Sequence, residues 1–266
     1  MSTTSAMLKA SSRVLREHKR LLVFPALSIT AEAVIIASFA VPYVMAKHGS
    51  AAAAARLTPT LYVLLALCGL LASIVSFFFN AALFLATADA MNHDEVSVKA
   101  ALRGAVRRLP TICAWALVSC AVSLIVRQID RWVPVKGLIF GIAWSCVTWL
   151  ALPAIIAEGI GVRKGVRRSV AVFKGTWREQ TIGTIRLTGL ALLLAIPALV
   201  ILVLGLGTAS GPAIVASLAL CLLWFGLCAL VVSCLTGVYR VALYRFATTG
   251  VTPEHFGGLD LGQAFH

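Results

Sequence analysis

The sequence predicts an all-α, polytopic membrane protein that crosses the bilayer six times. Of its 266 residues, 60% are hydrophobic and only 12% are charged, whereas a soluble domain carries about 25% charged residues. The mean hydropathy is +0.96. Six apolar segments cover more than half of the chain, and most are long enough to cross a bilayer as a helix, which takes about 20 residues. This composition excludes a soluble enzyme, a disordered chain, a disulfide-rich secreted module and a β-barrel.

The six apolar segments form a membrane domain, residues 21–238, between a basic amphipathic segment, residues 1–20, and a tail, residues 239–266. The predicted spans are 21–46, 61–88, 110–126, 138–157, 182–206 and 212–238. The first span is longer than the 7–15-residue apolar core of a signal peptide and is interrupted by Glu32, so we expect it to remain as a helix. Alanines at four-residue spacing in the second span favour close helix contacts. Pro197 predicts a kink in the fifth span.

The basic residues are distributed unevenly between the two sides of the predicted membrane. Most of the 23 lysines and arginines lie in the N-terminal segment, in the second and fourth loops and in the tail, which all fall on one side. The positive-inside rule therefore predicts that both termini are cytoplasmic. No aromatic platform accompanies the net charge of +13, so we expect no nucleic-acid partner.

Basic amphipathic segments recur before each pair of spans, which predicts three units of an amphipathic helix followed by a helical hairpin. Residues 96–109 and 162–178 show this pattern clearly, and residues 7–20 show it more weakly. Such helices lie in the headgroup plane with the apolar face toward the acyl chains. We therefore expect contact with anionic phospholipids, at about 1 kcal/mol for each charge. The residues predicted to make it are Lys99, Arg103, Arg107, Arg163, Arg167, Lys174 and Arg178.

No pattern of catalytic or metal-binding residues is found. All seven cysteines lie in predicted spans without a Cys-x-x-Cys pair, which favours a packing role over a zinc or redox site. The acidic and histidine residues at 89–95 are the one candidate for a metal site, but Asn92 or Asp94 as the N-cap of the next helix explains them better. We therefore predict no metal, no cofactor and no enzymatic activity.

Glu32 is the most unusual residue of the predicted spans. It lies about 16 Å into the first span at the helical rise, and an acidic residue in hydrocarbon faces the interior of a bundle or a wet cavity. Asn80 lies about 12 Å from the same side, and Arg186 is shallower but has a long side chain. The three are therefore predicted to form one intramembrane polar cluster. The cluster either fastens helices together or forms a functional site. At the cytoplasmic surface, Glu158 is expected to pair with Arg163 or Arg167.

Several short strings resemble an uncharacterised family of bacterial six-helix membrane proteins, a domain of unknown function. They are residues 21–25 (LLVFP), 79–83 (FNAAL), 158–159 (EG), 168–169 (RS), 173–177 (FKGTW) and 239–247 (YRVALYRFA). The segment 158–177 is also similar to part of the membrane domain of glycerophosphodiester phosphodiesterases. The resemblance implies a helical bundle in the bacterial inner (plasma) membrane and implies no activity.

Two functions are compatible with these features. The favoured one is a non-enzymatic membrane protein that binds an apolar or lipid-like ligand, another membrane protein or a second copy of itself. The alternative is a transporter or channel for a small solute that uses Glu32 for gating or proton coupling. Transporters typically show inverted repeats with broken helices, whereas these units have an even number of spans and only Pro197 interrupts a helix centre. That difference favours binding.

Overall fold

The computed structural model is all-helical in the residues that it describes, which are 13–46, 59–92, 96–132, 141, 144, 151–208 and 210–249. A 3₁₀ turn at Lys19–Leu22 leads into the first long helix. The helices are α1 (Val23–Ala46), α2 (Pro59–Met91), α3 (Val98–Arg107), α4 (Leu109–Trp132), α5 (Ala151–Glu158), α6 (Val162–Gly207) and α7 (Gly211–Thr249).

Five segments in the described part of the chain are long and apolar enough to cross a membrane. They are Lys19–Pro42, Leu61–Met91, Leu109–Ile129, Thr184–Gly207 and Gly211–Arg245. They correspond to the first, second, third, fifth and sixth predicted spans. The fourth span is predicted over 138–157, and the structure describes mainly its last part, α5. This span, and with it the total of six crossings, stays a prediction.

Helix α2 is the centre of the bundle, because it packs against α1, α3, α4, α5 and α7. Its alanines at positions 82, 86 and 90 are almost fully buried, so the predicted stripe of small residues lets helices of this chain approach closely. Helices α6 and α7 form an antiparallel hairpin. Trp224 Nε1 of α7 donates a hydrogen bond of 2.7 Å to the Leu194 carbonyl, next to the carbonyl that Pro197 leaves without a backbone N–H.

The core lies at one end of the bundle, where α1 begins and where α2 and α7 end. Phe24, Leu83 and Leu243 are fully or almost fully buried there. At the other end the helices diverge and expose apolar side chains, with Val63 67% and Leu222 71% exposed. The charge distribution predicts that this buried end faces the cytoplasm.

The amphipathic segment 162–178 and the fifth span are one continuous helix, α6, and not two helices as predicted. Its 46 residues give a length of about 69 Å, more than twice the roughly 30 Å of the hydrocarbon core. Only part of α6 therefore lies in hydrocarbon. The charged stretch was predicted to end a helix, but arginine and lysine are good helix formers and no proline interrupts the backbone.

The last helix continues beyond its predicted end at residue 238, to Thr249. Tyr239, Leu243 and Tyr244 are buried against the core, so the beginning of the predicted tail is part of the bundle. The reason is a continuing apolar face, since Tyr239 and Leu243 stand one helical turn apart.

Helix α3 has the predicted amphipathic character but a different N-cap. Ser97 Oγ accepts a hydrogen bond of 3.3 Å from the Ala100 N–H, whereas Asn92 or Asp94 was predicted to cap it. The side chain of Asn92 has another partner, described below, and Asp94 lies outside the described residues. Ala101 and Ala105 are buried, while the three predicted lipid-contact residues of α3 are exposed.

Candidate binding cavity

A cavity of about 210 Å³ lies between α1, α2 and α7. It is partly open at the side of the bundle. It is lined by Pro25, Ser28, Ile29 and Glu32 of α1, by Ser76, Phe79, Asn80 and Leu83 of α2, and by Ala229 and Ser233 of α7.

The polar residues of this cavity lie well inside three candidate membrane spans. Glu32 is nine residues beyond the start of α1, about 14 Å along the helix, and Asn80 is eleven residues before the end of α2, about 16 Å from the same end. Both side chains are half-buried. Glu32 and Asn80, two of the three residues of the predicted cluster, both line this cavity.

The hydrogen bonds of these two side chains stay within their own helices. Ser28 Oγ donates to Glu32 Oε1 at 2.7 Å, and Asn80 Nδ2 donates to the Ser76 carbonyl at 2.8 Å. In the described part of the chain, none joins Glu32 to α2 or α7. An ionised carboxylate has about four acceptor positions, so the Ser28 hydroxyl leaves most of them for a further donor. In the described residues, neither side chain therefore joins two helices through a hydrogen bond.

Arg186 does not line the cavity, in contrast to the prediction. It lies on α6, which packs mainly against α7 and α5, whereas the cavity lies between α1, α2 and α7. The helical rise gives the position of each residue along its helix. It does not give the position of that helix around the bundle. The structure therefore brings Glu32 and Asn80 together without Arg186.

A second polar cluster joins three helices at the buried end of the bundle. Glu158 Oε1 accepts hydrogen bonds from Arg168 Nε at 2.8 Å and from the Tyr244 hydroxyl at 2.7 Å. The sequence predicts Arg163 or Arg167 as the partner, whereas in the structure Arg168 pairs with Glu158. A tight turn between α5 and α6 contains Gly159 with φ of +63°, and it brings α6 back along α5 so that Arg168 reaches Glu158.

This cluster shifts the titration of Glu158. The hydrogen bond from Tyr244, together with the hydrogen bond and positive charge of Arg168, holds the pKa of the Glu158 carboxyl below its ordinary value, against an opposing effect of burial. A carboxyl with a depressed pKa stabilises the folded state above its unfolded-state pKa, near 4.3 for glutamate. That stabilisation is lost as the pH falls through the folded-state pKa.

The stability of the protein is therefore expected to depend on pH through Glu158. At neutral pH, Glu158→Gln lowers the midpoint of thermal unfolding, and the difference from wild type shrinks as the pH falls below about 4. The effect is modest because the side chains of Arg168 and Glu158 are 42% and 34% exposed. Circular dichroism in detergent measures the midpoints, and a difference that is constant with pH would contradict the assignment.

Arg245 fastens the end of α7 to the end of α2, through a hydrogen bond of 2.7 Å from Nη2 to Asn92 Oδ1. Sequence reasoning missed Arg168, Tyr244 and Arg245 as cluster residues. The sequence feature that points to Tyr244 and Arg245 is the repeated Tyr-Arg pair in residues 239–247.

The predicted lipid-contact residues are only partly described. Lys99, Arg103, Arg107, Arg163 and Arg167 have exposed side chains. The side chains of Lys174 and Arg178 lie outside the described residues, as do those of residues 1–12 in the first amphipathic segment.

Metal-ligand geometry is not found in the part of the chain that the structure describes. No group of three or more His, Cys, Asp and Glu side chains comes together there, although His93 and Asp94 of the 89–95 segment lie outside it. Six of the cysteines are described, and all are free thiols.

The comparisons with known proteins define the family of the chain but not its activity. A family model described as "Family of unknown function (DUF6159)" matches residues 59–254, from α2 to beyond the end of α7. This range includes Asn80, Ser233 and the Glu158 cluster, while α1 with Glu32 precedes it. No curated protein and no solved structure matches the chain, so the similarity to glycerophosphodiester phosphodiesterases has no support. The chain belongs to DUF6159, a family of unknown function.

Proposed function

We propose that this protein is a non-enzymatic membrane protein that binds a lipid-like amphiphile, with the polar group of the ligand at Glu32. One observation carries the proposal. A glutamate, an asparagine and three serines line a cavity at hydrocarbon depth. The hydrogen bonds of Glu32 and Asn80 stay within their own helices, so they do not link the helices around the cavity. Ionisable residues at that depth are costly and typically mark a functional site.

The size of the cavity determines which part of the ligand it holds. Pockets that hold a drug-sized ligand have a volume of about 300–1,000 Å³. A cavity of about 210 Å³ therefore accommodates a small polar group and not a whole amphiphile. Next to the cavity, α1 exposes Ile29 and Ile36, which are seven residues apart and share a face of the helix, and an apolar tail can lie along this face. The carboxylate of Glu32 favours an amine, because a hydrogen bond between two charged groups is about twice as strong as a neutral one.

The alternative is a small-solute transporter in which Glu32 carries the coupled proton. The observation that favours it is the same half-buried carboxylate beside a cavity of small-molecule size. The two functions differ in outcome, since a binding protein retains its ligand through purification and a transporter produces flux across a vesicle membrane.

Native mass spectrometry of the protein released from lipid tests the proposal. The expected spectrum shows an adduct whose fragments identify an amphiphile with an amine or hydroxyl headgroup. It also gives the oligomeric state, and so reports whether a second copy or another membrane protein is bound. The transporter would be favoured instead if the protein carries no ligand and if vesicles that contain it take up a solute when a proton gradient is applied.

We further propose that the protein crosses the bacterial inner membrane six times with both termini in the cytoplasm, and that its basic residues there contact anionic lipids. The distribution of lysine and arginine supports this orientation. An engineered cysteine at Ser50 is expected to react with an impermeant thiol reagent in intact cells, and one at Ser2 only after permeabilisation. Labelling at Ser2 in intact cells would overturn the orientation.

A further inference from the structure

We propose that the groove between α2 and α4 is a second lipid site, which binds one anionic phospholipid of the opposite leaflet with Arg127 at its phosphate. The groove has a volume of about 550 Å³. It is separate from the α1–α2–α7 cavity and shares no residue with it. The residues that define it are Tyr62, Leu65, Gly69 and Phe77 of α2, and Leu124 and Arg127 of α4.

The groove runs from a polar mouth to an apolar floor. Arg127 lies 18 residues beyond the start of α4, about 27 Å along the helix, and therefore at the end of the bundle away from the core. Tyr62, near the start of α2, is at the same end. The floor is closed by Phe77, whose ring centroid is 6.3 Å from that of Trp115.

The wall between mouth and floor is suited to an acyl chain. Ser73 Oγ donates to the Gly69 carbonyl at 2.7 Å, and Ser123 Oγ donates to the Ser119 carbonyl at 2.8 Å. These hydroxyls use their protons within their own helices, so the wall offers mainly methyl and methylene groups. Leu65 and Leu124 are 55% and 52% exposed at its edges, which leaves the groove accessible from the bilayer.

Charge determines the headgroup. Arg127 is an exposed cation at the mouth, and a guanidinium binds phosphate oxygens in a bidentate geometry. An arginine at the level of the headgroups over an apolar groove complements a phospholipid of net negative charge. The basic residues of α3, Lys99 and Arg103, lie at the opposite end of the bundle and therefore cannot contact the phosphate of this lipid.

Native mass spectrometry of the full-length protein with added phosphatidylglycerol or phosphatidylcholine tests this site. Wild type is expected to retain one phosphatidylglycerol in preference to phosphatidylcholine. Arg127→Gln should lower the affinity for that phosphatidylglycerol about fivefold, the effect of one arginine near the headgroups, and leave phosphatidylcholine unchanged. Gly69→Leu fills the groove and should displace one lipid of either class, because Gly69 has open space beside it.

The controls separate this site from general lipid contact. Gln128→Ala changes an exposed side chain next to Arg127 that does not line the groove, and it should leave the affinity for this one lipid unchanged. Added inorganic phosphate should not displace the lipid. An unchanged preference for phosphatidylglycerol in Arg127→Gln would overturn the proposal. So would the same number of retained lipids in Gly69→Leu, or equal retention of both phospholipids by wild type. Loss of the Glu32 ligand does not affect these outcomes.

Discussion

Glu32→Gln is expected to fold like wild type and to lose most of the retained amphiphile. The glutamine side-chain oxygen still accepts the Ser28 hydroxyl, so the packing of α1 is preserved. A neutral amide cannot pair with an ammonium group, and a hydrogen bond to a charged group contributes about 1.5–3 kcal/mol. The expected loss of affinity is therefore about 10- to 100-fold, measured as the fraction of protein that carries the adduct.

A matched control lies on the same helix. Ser38 is exposed and donates its hydroxyl to the Val34 carbonyl at 2.7 Å, away from the cavity, so Ser38→Ala should keep the full adduct. An adduct that survives Glu32→Gln undiminished would show that Glu32 does not bind the ligand. If Glu32→Gln folds normally but abolishes proton-linked flux, the transporter is the correct alternative.

Gly165→Leu is expected to lower the stability of the buried end of the bundle, where α5 packs against α6. A Cβ atom at Gly165 would collide with the Ile155 side chain of α5. Overpacking of this kind costs about 1–3 kcal/mol, which exceeds the gain of roughly 1 kcal/mol from replacing glycine in a helix. The midpoint of thermal unfolding should fall by about 2–4 °C for each kcal/mol of net destabilisation.

Gly189 provides the control within the same helix. It is exposed and has open space beside it, so Gly189→Leu should leave the midpoint unchanged or raise it slightly. Equal shifts for the two variants would show that α5 and α6 do not pack through Gly165.

The sequence predicts the long apolar helices well, because they depend on local pattern. Hydropathy and length identify five spans, and the helical rise places Glu32 and Asn80 at the same height. Neither quantity contains the angular position of a helix in the bundle, which is why the sequence predicts Arg186 in the polar cluster although α6 packs mainly against α7 and α5.

The cluster around Glu158 could not be predicted because its partners are distant in sequence. Tyr244 is 86 residues away, and the choice of Arg168 over Arg163 or Arg167 depends on how the turn at Gly159 orients α6. Helix ends were also misplaced where charged residues continue a helix, as in α6 and at the end of α7. The charged composition of these stretches predicts a loop at the membrane surface. The helix continues through them because their residues favour helical backbone and, in α7, pack against the core.

Titration of the purified protein with dodecylamine and with dodecanoic acid tests the central claim most directly, because the two probes share a chain and differ in the charge of the headgroup. The thermal unfolding of wild type and Glu32→Gln is compared at a pH where the acid is ionised. The account predicts that the amine raises the midpoint of wild type much more than that of Glu32→Gln, and that the acid raises neither. Stabilisation of wild type by both probes alike, or of both proteins by the amine alike, would contradict a cavity that binds an amphiphile through Glu32.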